Sequence, residues 1–478
     1  MPALVVGFDL DMTLIDSRPG IAAVYDALAA ETGVLIDSAA AVSRLGPPLD
    51  AELGRWFPAE QVAAAADRFR ALYPALAVGL TPALRGAHAA VESVHAAGGR
   101  TVVITAKYEP NAGLHLEHLA LPADDLVGWC WGTGKTDALR ERAAAVYVGD
   151  HVADVGAALA AGAVAVAVAT GPSTPDELVA AGAAVVLGDL GEFPAWFDGW
   201  LLETRVTALR EGLAALGSVL VAFSGGADSA LLLAEAADVL GPDRVAAATA
   251  VSASLPASEL AAARELAAGL GVRHLTPSTH ELGRAGYVAN AGDRCYFCKS
   301  ELLDVLVPLA AELGLAQVAT GTNADDAAAG FRPGIRAASE RGAVTPLLDA
   351  ALTKAQVRTL SRARGLQTWD KPAAACLSSR IAFGVPVTAE RLERVERAEA
   401  ALRAVLTTAR IAVRDLRVRD LGQAARIEVD AAAASAVAAC PAALRSVTEA
   451  GFERVEVDQA GFRSGSMNDL LANPGRYR

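Results

Sequence analysis

The chain has 478 residues, 53% of them hydrophobic, a formal net charge of −13 and five cysteines. That length exceeds one ordinary domain and predicts about three, and the acidic balance disfavours broad contact with nucleic-acid phosphates, so no nucleic-acid partner is expected. Apolar runs such as "AALAAGAVAVAVATGP" are too short and glycine-broken to cross a bilayer, the start has no basic leader, and the few cysteines fit thiols or metal ligands in a reducing cytoplasm.

Strand-like runs alternate with helical ones throughout, which predicts an α/β chain with parallel sheets covered on both faces. The first, "VVGFDLDMTLIDS", ends in Asp9 and Asp11 with Thr13 close behind. Strand alternation aims both acids the same way at the strand's carboxyl end, where open α/β sheets hold ligands. Helical runs such as "GIAAVYDALAAETG" and "AEQVAAAADRFRALY" follow. "RTVVITAK" then brings Thr105 and Lys107, Lys135 opens a helix in "GTGKTDAL", and "YVGDHVAD" brings Asp150 and Asp154. Acids, a hydroxyl and a lysine suit phosphate chemistry. One carboxylate attacks phosphorus, a second handles the leaving-group proton, and Mg²⁺ with lysine balances charge.

This constellation resembles the haloacid dehalogenase-type phosphatases, particularly the phosphoglycolate phosphatase branch, over residues 1–195. The resemblance implies a Rossmann-like domain with a helical cap at about 18–82. It makes Asp9 the nucleophile, Asp11 the general acid/base and Thr105 a phosphoryl ligand, with Lys135 as counter-charge. Asp150 would complete a Mg²⁺ site with Asp9 and Asp11, and Asp154 would support it. Lys107 is read as a solvated strand-end residue, because Lys135 already fills the lysine position. The phosphatase substrate is not legible.

The aromatic stretch "GEFPAWFDGWLLETRVTALREGLAALG", with Trp196, Phe197 and Trp200, marks a boundary. It predicts a linker or docking helix within 196–215, starting near residue 200. Then "VLVAFSGGADSALLLAEAADVLG" gives a strand, the loop Ser224-Gly225-Gly226-Ala227-Asp228-Ser229, and a helix. Glycines expose backbone N–H groups and a helix N-terminus favours an anion. The loop lacks the lysine of an ordinary P-loop and carries the SGGxDS signature of ATP pyrophosphatases, so 216–370 is expected to form such a domain and 371–478 a C-terminal α+β region.

"RCYFCKSEL", "TWDKPAAACLSSRIAFG", "LRVRDLGQAARIEV" and "GFRSGSMND", among other segments, resemble the LarE family of ATP-dependent sulfur transferases over nearly all of 203–478. The resemblance implies adenylylation of a carboxylate of a pyridinium dicarboxylate mononucleotide, then sulfur insertion to a thiocarboxylate on the way to nickel-pincer nucleotide. Ser224, Gly225, Gly226, Asp228 and Ser229 would hold ATP. Ser379, Arg380, Glu399, Arg417 and Arg419 would hold the phosphorylated substrate, for which guanidinium groups are well suited. A sulfide donor and a homo-oligomer are further expectations.

One LarE class sacrifices a single cysteine. Here Ala375 stands at that position, Cys376 is one place closer to "SSR", and Cys295 and Cys298 add two more thiols. Three thiolates can hold three irons of a [4Fe–4S] cluster and leave the fourth open for sulfide, so Cys376 is read as both ligand and catalytic residue. Zinc, a sacrificial Cys376 and inert thiols remain alternatives, and Cys130 and Cys440 read as core or bystander thiols. Rival functions are a tRNA thiolase of the same superfamily and a nucleotide-binding regulator with inactive sites.

Overall fold

Valine- and alanine-rich runs alternating with helices form two separate parallel sheets, as strands buried on both faces should. The computed structural model describes residues 4–329, 333–372 and 376–463. The chain divides into two units, Met1–Leu201 and Leu202–Arg478.

The first unit holds β1 (Val5–Phe8), β2 (Arg100–Ile104), β3 (Asp125–Val127), β4 (Val146–Gly149), β5 (Val164–Val168) and β6 (Val185–Leu187) in the order β3-β2-β1-β4-β5-β6. Every pairing is parallel. Alternate residues serve opposite faces. Val6, Phe8, Val103 and Val148 enter one core, while Val102, Ile104, Tyr147 and Ala165 enter the other. Each fully buried Val, Leu or Phe contributes about 1.5–3 kcal/mol. The strand order reverses at β1, so the carboxyl ends of β2, β1 and β4 meet at one sheet edge, the usual place for a ligand.

Between β1 and β2 run the helices Arg18–Thr32, Ser38–Val42, Leu49–Leu53 and Ala59–Leu76. They form a core of their own around Tyr25, Leu28, Leu53 and Phe69, in the stretch where a cap is expected. The helix expected near residue 200 starts earlier and is one element, Phe193–Leu216. Phe193, Phe197 and Leu201 belong to the first unit's core, and Leu209 and Leu213 to a core of the second.

In the second unit β7 (Val219–Ala222), β8 (Val245–Ala248), β9 (Arg273–Leu275) and β10 (Gln317–Thr320) form a parallel sheet ordered β10-β7-β8-β9. A smaller sheet of β11 (Leu416–Asp420), β12 (Ala424–Val429) and β13 (Arg454–Val457) pairs β11 antiparallel to β12 and β12 parallel to β13. Helices Ala389–Thr408 and Pro441–Glu449 share its core through Leu392, Leu402 and Val447. Among the described residues no single helix is long and apolar enough to cross a membrane.

Candidate active sites

The β1 strand runs straight into Asp9, whose N–H donates to the Val148 carbonyl at 2.8 Å. Asp9, Asp150 and Asp154 are buried, with one carboxylate oxygen from each lying within 4.8 Å of the others. Lys135, in the first turn of helix Thr133–Glu141, reaches Asp154 Oδ1 at 2.6 Å and Asp9 Oδ1 at 3.0 Å. The second contact is an ion pair off the hydrogen-bond direction, since Asp9 Oδ1 finds no hydrogen-bond donor among the described residues. Thr13 Oγ1 donates to Asp150 Oδ1 at 3.0 Å. Close packing fixes the group: a Cβ on Gly171 would lie 1.7 Å from Asp150 Oδ2, and one on Gly149 2.5 Å from Asp154.

Charge in this cluster is unbalanced. Burial, then the neighbouring Asp154 and Asp11 acting against Lys135, pushes Asp9 up to about 7. Burial, then the neighbouring Asp9 and Asp154, push Asp150 well above the carboxylate range. Three buried carboxylates against one ammonium fit a hard divalent cation held by oxygen. The residues that converge are Asp9, Asp150 and Asp154. The Asp11 carboxylate, expected beside them, is turned to Lys107.

Lys107 corrects the sequence reading. It is not a solvated strand-end residue. Its side chain is 7% exposed and its Nζ lies 2.7 Å from Asp11 Oδ1. Burial works upward on Asp11, but this ammonium holds its carboxyl below the usual range. Lys107 also lies 4.8 Å above the Tyr73 ring, and the Tyr73 hydroxyl meets His115 Nε2 at 3.0 Å. Burial, then the Lys107 charge, lowers His115 to about 4, so its ring is neutral. Thr105, at the end of β2, is buried and its Oγ1 accepts the Lys107 N–H at 3.2 Å. Asp9, Asp11, Thr105, Lys107, Lys135 and Asp150 all line one cavity. The cue for Lys107 was its place in "ITAK"; Tyr73 and His115 carried none.

In the second unit β7 leads through Phe223 into the glycine loop, and helix Ala227–Leu240 follows. Gly225 has φ of 68°, a left-handed backbone that glycine adopts without penalty. Ser229 Oγ accepts from the Ser224 N–H at 3.3 Å and donates to the Gly226 carbonyl at 3.2 Å. Asn323 donates to Asp228 Oδ1 at 2.9 Å, while burial raises the Asp228 carboxyl. Lys371 caps the loop, donating to the Gly225 carbonyl at 3.1 Å and pairing with Glu259 at 2.7 Å. Ser224, Gly226, Asp228 and Ser229 line a cavity of about 370 Å³ together with Cys298, Lys299, Glu281 and Cys376.

Two polar staples assemble this cavity. Asn290 donates from Nδ2 to the carbonyls of Ala382 and Val385, each at 2.8 Å. Arg294 donates to the Ser378 carbonyl at 2.9 Å, which ties helix Arg294–Glu312, carrying Cys295 and Cys298, to the turn after Cys376. Cys295 is exposed at the first turn, whereas Cys298 and Cys376 are half-buried. Burial pushes the Cys298 thiol up, and Cys376, Glu281 and Cys295 add negative neighbours. Cys376 Sγ lies 2.9 Å from Ser378 Oγ. Lys299 also lines the cavity, and burial lowers its ammonium. Cys130 and Cys440 pack against hydrophobic cores. Ala375, on which the register of the sacrificed cysteine rests, and the tail from Ser464 lie outside the described residues.

The turn Leu377–Arg380 joins the cavity to a buried arginine group. The Cys376 carbonyl accepts from Ser379 Oγ at 2.7 Å and Arg380 Nη1 at 3.0 Å, and Arg380 pairs with Glu399 at 2.9 Å. Arg419 donates to the Ser379 carbonyl at 3.2 Å and pairs with Glu428 at 2.7 Å. Burial, then the charge of Arg380, holds Arg417 below its ordinary value. The structure thus brings Ser379, Arg380, Glu399, Arg417 and Arg419 together, and the arginines are buried rather than on a solvated strand.

The folds and sites define a hydrolase-type unit followed by a unit with a glycine-rich anion loop beside cysteines. Residues 6–159 match the haloacid dehalogenase-like hydrolase family. The chain is 41% identical over 274 residues to an uncharacterized Synechocystis protein, covering 57% of this chain and 99% of that one. It is 35% identical over 271 residues to the pyridinium-3,5-bisthiocarboxylic acid mononucleotide synthase of Lactiplantibacillus plantarum, covering 56% of this chain and 96% of that one. A solved predicted phosphatase from Clostridium acetobutylicum is 26% identical, with a TM-score of 0.37, over 41% of this chain and 99% of that one. The chain belongs to the LarE-type synthase family and carries a haloacid dehalogenase-like hydrolase domain at its N-terminus. It is an enzyme.

Proposed function

We propose that the second unit is an ATP-dependent sulfur transferase acting on a pyridinium dicarboxylate mononucleotide, and that the first is a Mg²⁺-dependent phosphomonoesterase. One observation carries the reading of the second unit: Cys298 and Cys376 line the same cavity as the SGGADS loop. The substrate class is supported by the name of the Lactiplantibacillus relative. A substrate carboxylate attacks the α-phosphorus of ATP and pyrophosphate leaves, giving an acyl adenylate. Sulfide then attacks the acyl carbon, and the bond to AMP breaks to give the thiocarboxylate.

Ser224, Ser229 and the loop N–H groups would orient the phosphates. Arg417 and Arg419 would take the substrate phosphate, with Glu399 and Ser379 holding Arg380 and the turn in place. Cys295, Cys298 and Cys376 would hold a [4Fe–4S] cluster; Cys298 and Cys376 line the cavity, and Cys295 stands three residues before Cys298 on the same helix, so that three thiols would leave one iron without a protein ligand. When bound, the cluster supplies the transferable sulfur.

In the first unit Asp9 would attack phosphorus and Asp11, oriented by Lys107, would deliver and retrieve the proton. Thr105 and Lys135 would hold phosphoryl oxygens. Asp9, Asp150 and Asp154 would hold Mg²⁺, which when bound neutralises phosphoryl charge.

The test incubates the anaerobic full chain with ATP and the pyridinium dicarboxylate mononucleotide. Pyrophosphate release and replacement of oxygen by sulfur in the product are expected. ATP turnover that depends on tRNA and leaves the mononucleotide untouched would overturn the reading in favour of a tRNA thiolase.

A further inference from the structure

Above Asp9 the segment "GWCWG" puts two indoles into the cavity wall, while Cys130 between them turns to the core. Neither ring is needed to attack phosphorus. Trp129 is 57% exposed, at a backbone φ of 57°. Bulky side chains avoid that region, and strain of this kind gathers at ligand sites. The Arg70 guanidinium lies 4.7 Å from its ring centre, Tyr108 meets its edge at 5.3 Å, and Trp131 lies 5.9 Å from His151.

The charges of this upper cavity are matched among themselves. Arg44 pairs with Glu52 at 2.5 Å, and Arg70 with Asp50 at 3.2 Å and Asp67 at 3.1 Å. Lys107 and Lys135 are engaged by Asp11, Asp9 and Asp154. Among the described residues, each lysine and arginine lining the cavity already faces a carboxylate, so a second anionic group, as on a carboxylate- or bisphosphate-bearing ester, would have to compete for a cation. What the wall offers instead is flat aromatic surface flanked by neutral pairs of polar groups.

We propose that the ester taken by this cavity is a nucleoside 5′-monophosphate, with its phosphate at Asp9 and its planar heterocycle stacked against Trp129 and Trp131. The inference rests on the phosphomonoesterase reading above. Stacking tolerates any flat ring, and a pyridinium ring would add cation–π attraction. AMP and a pyridinium mononucleotide are therefore the two sources to separate.

The test measures phosphate release by the full chain with Mg²⁺ from AMP, nicotinamide mononucleotide (a pyridinium nucleotide whose ring substituent is neutral), ribose 5-phosphate and phosphoglycolate. Ribose 5-phosphate differs from the nucleotides chiefly by the ring. At least one nucleotide should exceed it about tenfold or more in kcat/KM, and whichever does so identifies the source. Trp129→Ala, at an exposed position that folding tolerates, should collapse that ratio through KM, and Trp131→Ala should act in the same direction. Equal or faster hydrolysis of ribose 5-phosphate or phosphoglycolate would overturn the inference and leave the phosphomonoesterase standing. If no ester is cleaved, the phosphomonoesterase reading falls. Tryptophan quenching of the Asp9→Asn chain by each nucleotide then decides the cavity separately. Saturable quenching lost in the Trp129→Ala background supports the inference, and its absence overturns it.

Discussion

Arg294 donates to the Ser378 carbonyl at 2.9 Å, and the same Nη1 donates to Asn290 Oδ1. Through this one buried guanidinium the segment bearing Cys295 and Cys298 is held against the turn that follows Cys376. Arg294→Met should therefore separate the two segments. It leaves the buried Asn290 amide oxygen without a donor, at about 1–3 kcal/mol, and the Ser378 carbonyl with only the Ile381 N–H at 3.2 Å. Lower iron content and a lower Tm are expected together, with Arg294→Lys intermediate. Full iron content in Arg294→Met would remove the staple from the account.

Lys107 and Asp11 should behave as one catalytic unit. Lys107→Met and Asp11→Asn should each cut phosphomonoester turnover about 10²–10⁴-fold. The double variant should be little worse than the worse single one, because groups acting together are not additive. Multiplying losses would show that Lys107 works independently.

Three buried carboxylates facing Lys135 make Asp150 costly to ionise. Its raised folded-state pKa means that stability falls as pH rises from the unfolded value toward the folded one. Asp150→Asn should thus stabilise the metal-free chain at neutral pH by on the order of 1 kcal/mol or more. The same change should abolish stabilisation by Mg²⁺, which for the unsubstituted chain reaches about 2.7 kcal/mol at a hundredfold excess over Kd. Thermal melts with and without Mg²⁺ check both signs.

Gly225→Ala forces a side chain into the left-handed region at a strain of about 1–2 kcal/mol, at the loop whose carbonyl Lys371 caps. ATP-dependent pyrophosphate release should fall sharply while phosphomonoester hydrolysis by the same chain persists. Loss of both together would indicate general unfolding.

Much of this was legible from local pattern. Continuous apolar runs gave β1, β2, β4 and β7, and their ends delivered Asp9, Thr105, Asp150 and the glycine loop. The strands β3, β6 and β9 are three residues each, too short to show a period. Lys107 was misread because its partner Asp11 lies 96 positions away and its burial depends on Tyr73 from the inserted helices. Asn290 and Arg294 bond backbone carbonyls 84 or more positions distant, and such bonds leave no trace in composition or spacing. Arg417 and Arg419 were assigned to the substrate by resemblance, and their spacing alone carried no sign of burial. Only the packing of β11 against β12 and helix Ala389–Thr408 shows both to be buried.

The central claim, that Cys295, Cys298 and Cys376 hold a cluster that delivers sulfur without consuming the protein, has a direct measurement. Anaerobically prepared protein is analysed for iron and sulfide, run through several turnovers with ATP, substrate and added sulfide, and then examined by mass spectrometry at Cys376. One [4Fe–4S] per chain, lost with any single Cys→Ala change, and an unchanged Cys376 are the expected result. Conversion of Cys376 to dehydroalanine, with loss of the elements of H₂S after one turnover, would contradict it.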